Sequence, residues 1–240
     1  MFTNITLNTD VLMRPERTRE EIRRITELGF TEAASAALMA LQSTSTNDYL
    51  EKLAMEAIGA VHSPKKLGKD GQHELGGAEA KPTKNKAIGS SSAGTVNDDS
   101  PMKLLSDYTS CPIVVFVRSS PTCERVDWLC VAPYSNWTEK RLGKIVDRLG
   151  LDADEWEWPE TEAEQLDLLQ RLQTQHKEGM YVRSNSLSLT LLKNANPDDV
   201  IVWHHPDVSV SQLPKPMQEI VRKQTSPLQT PSSPPADLDR

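Results

Sequence analysis

The sequence predicts an α+β protein built in parts: an N-terminal three-helix bundle, a disordered linker, an α+β domain with element order ββααβββ, and a disordered tail. Three observations predict it. Helical apolar spacing punctuated by glycines fills residues 17–60, and short β-branched runs recur after residue 108. All five tryptophans lie between residues 128 and 203, whereas no Phe, Tyr or Trp occurs from residue 50 to 107. A hydrophobic share of 37% is low for one packed domain of 240 residues, so folded and unfolded segments are expected to alternate. The expected boundaries are 14–61 for the bundle, 62–107 for the linker, 108–206 for the α+β domain and 207–240 for the Pro-rich tail.

The first helix is expected to open on the capping box Thr18-Arg19-Glu20-Glu21 and to continue through Ile22, Ile25 and Leu28. Gly29 then stops it, because glycine takes positive φ at no steric cost. Ala33, Ala34, Ala36, Ala37 and Ala40 make the second helix, from about Thr31 to Gln42. Asn47 or Asp48 is expected to cap the third, whose apolar face is Leu50, Leu53, Ala54, Ala57 and Ile58, and Gly59 ends it. Residues 62–107 hold six of the eleven glycines, the run Ser90-Ser91-Ser92 and scattered lysines (Lys65, Lys66, Lys69, Lys81, Lys84, Lys86). So few apolar side chains cannot offset the entropy of ordering, which predicts disorder.

Ile113–Val117 and Val126–Val131 are expected to pair as a hairpin around a turn at Arg118–Glu124. Asn136 or Thr138 caps a helix through Leu142, Ile145, Val146 and Leu149, and a second helix spans about Glu162–Gln175. Met180–Val182, Leu187–Leu192 and Val200–Trp203 are the remaining strand candidates. Helices on one face of a mixed sheet are the expected packing. A short helix at Pro216–Lys223 precedes the Pro-rich end.

The stretch Glu21 to Phe30, the Ala-rich helix with Ala37-Leu38, and Asn47 opening a third helix together resemble a ubiquitin-associated (UBA) domain over residues 18–60. Leu28 replaces the Met usual in that family's loop, Asn47 falls slightly late, and Glu51 stands where a small apolar residue is common. The resemblance implies a three-helix fold that binds ubiquitin's apolar patch through the loop Leu28-Gly29-Phe30. In physical terms an apolar corner on a small bundle is either a docking hot spot or part of the bundle core.

Other chemistry is thinly marked. No Cys-x-x-Cys or His-x-x-x-His pair occurs, so no metal ligand set is expected. Three cysteines (Cys111, Cys123, Cys130) are an odd number and no disulfide framework, which points to an intracellular protein, cytoplasmic or nuclear. Cys123 with His176, His204 or His205 supplies only the residue types of a Cys–His nucleophile. Asp152 to Asp167 carries eight acids and no base around Trp156 and Trp158, which reads as a solvated connector, a docking patch for a basic partner, or paired carboxylates for acid–base work. No apolar run is long enough for a membrane helix, and Gly76-Gly77 lacks the setting of a phosphate loop. A net charge of −7 argues against general nucleic-acid binding, though not against a local basic patch.

The expected function is therefore a non-enzymatic adaptor without cofactors, which binds protein partners, ubiquitin among them, through Leu28, Gly29 and Phe30 and through Trp156 and Trp158. Two alternatives stay open: a small cysteine-dependent enzyme in the α+β domain, or a self-assembling structural or viral scaffold protein.

Overall fold

A computed structural model describes residues 5–13, 23–31, 43–63, 69–83, 86–93, 107, 110–120, 125–148 and 187–225, together with seven positions between 161 and 174. The class is mixed α+β, centred on one six-stranded mixed sheet. In chain order the elements are α1 (Thr9–Met13), α2 (Ser43–Ala57), β1 (Val61–His62), β2 (Gly71–His73), β3 (Gly76–Thr83), β4 (Ile113–Ser119), β5 (Val126–Pro133), α3 (Ser135–Arg148), β6 (Ile201–His204) and α4 (Lys215–Thr225). The strands lie side by side in sequence order. Every neighbouring pair is antiparallel except β3 and β4, which run parallel with Ala78 opposite Ile113 and Thr83 opposite Arg118.

The central strands are apolar on both faces because both faces are covered. Ile113, Val115 and Val117 of β4, with Leu129 and Val131 of β5, point to one side and meet Leu50, Leu53, Ala54, Ala57 and Ile58 of α2 and its end. Val114, Phe116, Trp128, Cys130 and Ala132 point to the other side and pack with Tyr134, Trp137, Leu189, Leu192, Met217 and Ile220. The buried indoles keep their N–H groups satisfied: Trp128 Nε1 donates to Ile88 O (3.0 Å) and Trp137 Nε1 to Ser188 O (2.9 Å). Those two bonds fasten residues 88 and 188 onto the second face.

Several expectations are corrected here. The segment 62–107 is not a linker throughout, since it supplies β2 and β3. Its strands escaped composition because the residues they turn toward α2 include Gly71, Ala78 and Ala80, small side chains that let the helix approach closely. The apolar face of the third expected helix packs on the sheet through β3 and β4 as well as on α1. The expected bundle 14–61 is thus not separate from the sheet at this helix, and most of its first two helices falls outside the described residues. Helices cover both faces of the sheet, not one.

Leu187–Leu192 is not a strand. Ser188 caps a 3₁₀ turn over Leu189–Asn194, its hydroxyl accepting the Thr190 N–H at 3.2 Å, and the spacing of three buries Leu189 and Leu192 together. Hydroxyl side chains offer the backbone such local bonds in competition with a ladder. Both α2 and α3 start earlier than the capping residues suggested, at Ser43 and Ser135. The β4–β5 hairpin, β6 and the late helix α4 stand where the sequence placed them. Met180–Val182 and the capping box at Thr18 lie outside the described residues. At the 162–175 helix, the described positions 163, 164, 167, 170, 171 and 174 are helical, and Thr161 and Glu164 form a capping box (3.3 and 3.0 Å).

Gly76 and Gly77 are required where the chain crosses itself. Gly76 has φ +129°, and a Cβ there would sit 2.8 Å from the Pro112 ring. A Cβ on Gly77 would lie 2.6 Å from Ser110 O, a backbone atom that cannot yield cheaply. Gly77→Ala is therefore expected to cost about 1–3 kcal/mol in urea unfolding. Gly143→Ala, inside α3 with nothing within 4 Å, is expected to stabilise by about 0.5–1 kcal/mol. Equal effects of the two substitutions would refute the crowding argument.

Candidate functional site

β3 alternates small and charged residues, and the alternation sorts them by face. Ala78 and Ala80 turn toward α2, so Glu79 and Lys81 turn toward the opposite face, opposite Val114 and Phe116 of β4. Lys81 Nζ and Glu79 Oε1 are 2.5 Å apart, with side chains 12% and 5% exposed. β2 pairs with β3 only as far as Gly71 opposite Ala78, which leaves the next inward N–H of β3 to another acceptor. The side chain of Asp70 takes that place: its Oδ2 accepts the Ala80 N–H at 2.8 Å. Ala80 is the residue between Glu79 and Lys81. A short hairpin thus brings the Asp70 carboxylate to the backbone between Glu79 and Lys81.

Tyr134 stands at the entry to α3, its N–H on Pro112 O at 2.8 Å. It is wholly buried, with its ring in the second-face core. Burial first, then the charges of Asp107, Glu79, Cys111 and Asp70, hold its hydroxyl well above the usual phenol range. Asp107 and Arg141 are buried as well. Tyr134, Thr138 and Arg141 recur at helical spacing and make the buried polar stripe of the α3 segment.

Such burial is expensive, and an apolar pair of similar volume would hold the fold as well or better. Charged groups kept in a packed layer point to chemistry more than to stability. The donor set is specific. Two carboxylates offer hard oxygen ligands, which suit Mg²⁺ or Mn²⁺. Among the described residues no group of three or more His, Cys, Asp or Glu side chains could hold a metal ion alone. Mg²⁺ does not need one, because it is usually held by one or two carboxylates and completed by water and substrate phosphate.

A second charged group marks the β4–β5 bulge, where the register shifts between Arg118 and Ser119. Asp127, 1% exposed, pairs with Arg118 and with Arg125 (2.9 Å), and its carbonyl accepts the His205 N–H at 2.9 Å. Arg118 Nη2 also donates to Lys86 O at 2.9 Å. These bonds tie the ends of β4 and β5 to the chain leaving β3 and to the chain following β6.

Of the residues singled out in the sequence, His205 joins the second group through its N–H on Asp127 O. Leu28 and Phe30 are exposed (78% and 50%), and Gly29 takes φ +95° with its N–H on Thr26 O at 2.9 Å. Trp156, Trp158, Cys123 and His176 lie outside the described residues. Cys111 and Cys130 are buried and not disulfide-bonded, and burial pushes the Cys130 thiol up to about 12, so it stays protonated at neutral pH. His204 ends β6 and His205 follows it, with Nδ1 atoms on His205 O and the Asp207 N–H respectively (3.2 Å each).

Sequence reasoning passed over Asp70, Glu79 and Lys81 because they sat in the segment read as a linker. One signal was present: the Ala-Glu-Ala-Lys alternation after Gly76-Gly77 has the period of a strand. Comparison with family models, with curated proteins and with solved structures found no match to this chain.

Proposed function

We propose that this protein is a divalent-cation-dependent phosphodiesterase acting on a nucleic-acid strand. The observation that carries the reading is the Asp70 carboxylate on the Ala80 N–H, between the buried Glu79 and the Lys81 ammonium that pairs with it on β3. The two carboxylates would hold the cation, which lowers the pKa of a bound water and offsets phosphate charge. The Lys81 ammonium would stabilise the negative charge that grows on the phosphoryl oxygens as water attacks. The water oxygen would bond to phosphorus as the bond from phosphorus to the leaving oxygen breaks, and the proton the water gives up would pass, through solvent, to that leaving oxygen. Local charge supports a polyanionic substrate. Residues 61–92 carry six lysines against three acids, opposite to the −7 of the whole chain.

The full chain is expected to nick or linearise supercoiled plasmid with Mg²⁺ or Mn²⁺ and to stop with EDTA. Glu79→Gln is expected to lose activity by about 10²-fold or more, as loss of a charge-stabilising group typically does. Absence of cleavage of plasmid, single-stranded DNA and RNA with either cation would overturn the reading, as would a fully active Glu79→Gln.

A second role rests on a different observation. Leu28 and Phe30 are exposed on either side of Gly29, the form an apolar docking corner takes. This supports the adaptor reading, with ubiquitin as the partner that the resemblance implies. NMR titration of the full chain with ubiquitin tests it. Shift changes at Leu28–Phe30 that vanish in Phe30→Ala are expected, and equal binding by Phe30→Ala would remove this role.

A further inference from the structure

The sheet ends differently at its two edges. At one edge β1 is only two residues long, a short strand that offers little to pair with. At the other, β6 (Ile201–His204) carries no lysine, no proline and no register shift, the features that usually keep an edge from pairing. All four of its residues are partly exposed, among them Ile201, Val202 and Trp203.

The ladder fixes which groups of β6 are open. His205 N–H donates to Asp127 O at 2.9 Å. Bonded and non-bonded pairs alternate along an antiparallel ladder. With Trp203 opposite Leu129 and Val202 opposite Cys130, Ile201 and Trp203 direct their N–H and C=O groups to β5. Val202 and His204 direct theirs away from it, and among the described residues no group bonds them. The open stretch has sharp ends. At Val200 the carbonyl accepts Gln224 Nε2 (2.7 Å) and the N–H donates to Pro197 O (3.2 Å). After His205 the chain turns, with Val208 N–H on His205 O at 2.9 Å, and Pro206 has no N–H to offer.

We infer that β6 is the interface between two copies of this chain, paired antiparallel about a twofold axis at Trp203. In that register Val202 and His204 of one copy exchange N–H to C=O bonds with His204 and Val202 of the other, and all four open groups of each copy are met. An axis at Val202 would set His204 against Val200, which is already bonded, and an axis at His204 would set Val202 against Pro206. Trp203 faces its own copy in a non-bonded pair, where Cα atoms are about 4.5 Å apart and aromatic side chains interact well. Charge is compatible, since Ile201, Val202 and Trp203 carry none and His204 faces Val202. A two-residue β1 cannot supply this match, so the pairing is between like edges and closes at two copies.

The test uses the full chain as wild type, Val202→Pro, Trp203→Lys and Trp203→Glu. Mass is read by light scattering over a dilution series, and amide hydrogen exchange is followed on the wild type. The wild type is expected as a dimer, with Val202 and His204 amides that exchange slowly and speed up on dilution. Val202→Pro removes a donor that faces away from β5, a place where an edge strand tolerates proline. By symmetry it deletes two bonds between copies and should weaken the dimer by about 10- to 100-fold. Trp203→Lys and Trp203→Glu should each be monomeric, because like charges then meet at the axis, and an equimolar mixture should recover the dimer. A wild type that is monomeric at every concentration would overturn the inference, and a peptide partner or another segment of this chain would then be what takes the edge. An assembly larger than two copies, or a dimer that Val202→Pro and Trp203→Lys leave at wild-type strength, would overturn it as well. So would Val202 and His204 amides that exchange equally fast in dimer and monomer, a result that needs no variant to fold. Plasmid cleavage is a separate readout, because β6 lies three strands from β3.

Discussion

Lys81→Arg is expected to fold as stably as the wild type and to cleave plasmid about 10²-fold more slowly. Arginine keeps the positive charge, so Glu79 retains a partner in its buried position. The planar guanidinium is larger than an ammonium and presents its donors in a fixed fork, which moves the charge away from where the ammonium placed it. Charge placed before the reaction is worth most when it is aimed at the transition state, and losing one such group costs about 10²–10³ in rate. Lys81→Met separates the two roles. It should abolish activity and also destabilise the protein by about 3–5 kcal/mol, because the buried Glu79 carboxylate loses its Lys81 partner. Thermal melts with kcat for each variant decide the matter. A Lys81→Arg protein as active as the wild type would show that the ammonium takes no part in the chemistry.

Asp127→Asn is expected to destabilise the protein strongly. Asp127 is almost wholly buried at the β4–β5 bulge, with Arg118 and Arg125 on its carboxylate. Burial, followed by the like charge of Arg125, already pushes the Arg118 guanidinium below its usual range. Removing the anion leaves two cations facing each other in the packed end of the sheet. Breaking such a buried group by deleting one partner costs about 3–5 kcal/mol. At about 2–4 °C per kcal/mol for a chain of this size, the melting temperature should fall by roughly 6–20 °C. Asp127→Asn combined with Arg118→Met should recover part of the loss, because the uncompensated charge is gone. Additive effects of the two substitutions would refute the coupling.

The two groups were legible to different degrees, for reasons that lie in their residues. Gly29 and Gly59 stop their helices with φ of +95° and +75°, as a glycine after an apolar helical face suggests. The hairpin of β4 and β5 declared itself because Ile113–Val117 and Val126–Val131 are apolar on both faces. The strand β3 did not, because its inward residues are alanines and its outward residues are Glu79 and Lys81. Composition counts those as soluble. Only packing shows that α2 covers the alanines and that the second-face layer buries the charges. The same holds for Leu187–Leu192, where the alternation of Ser and Leu suits a strand until Ser188 captures the turn.

The sequence by itself determined the mixed α+β class, the central hairpin, the last strand and the late helix, since each depends on periodicity within a few residues. It also determined that Leu28-Gly29-Phe30 forms a helix-ending corner. Tertiary structure alone decided that residues 71–83 join the sheet, that helices cover both of its faces, and that Asp70, nine residues before Glu79, returns to the backbone between Glu79 and Lys81. Those outcomes depend on which strand lies beside which. Ladder register brings distant residues together, and no local pattern in the chain encodes that register.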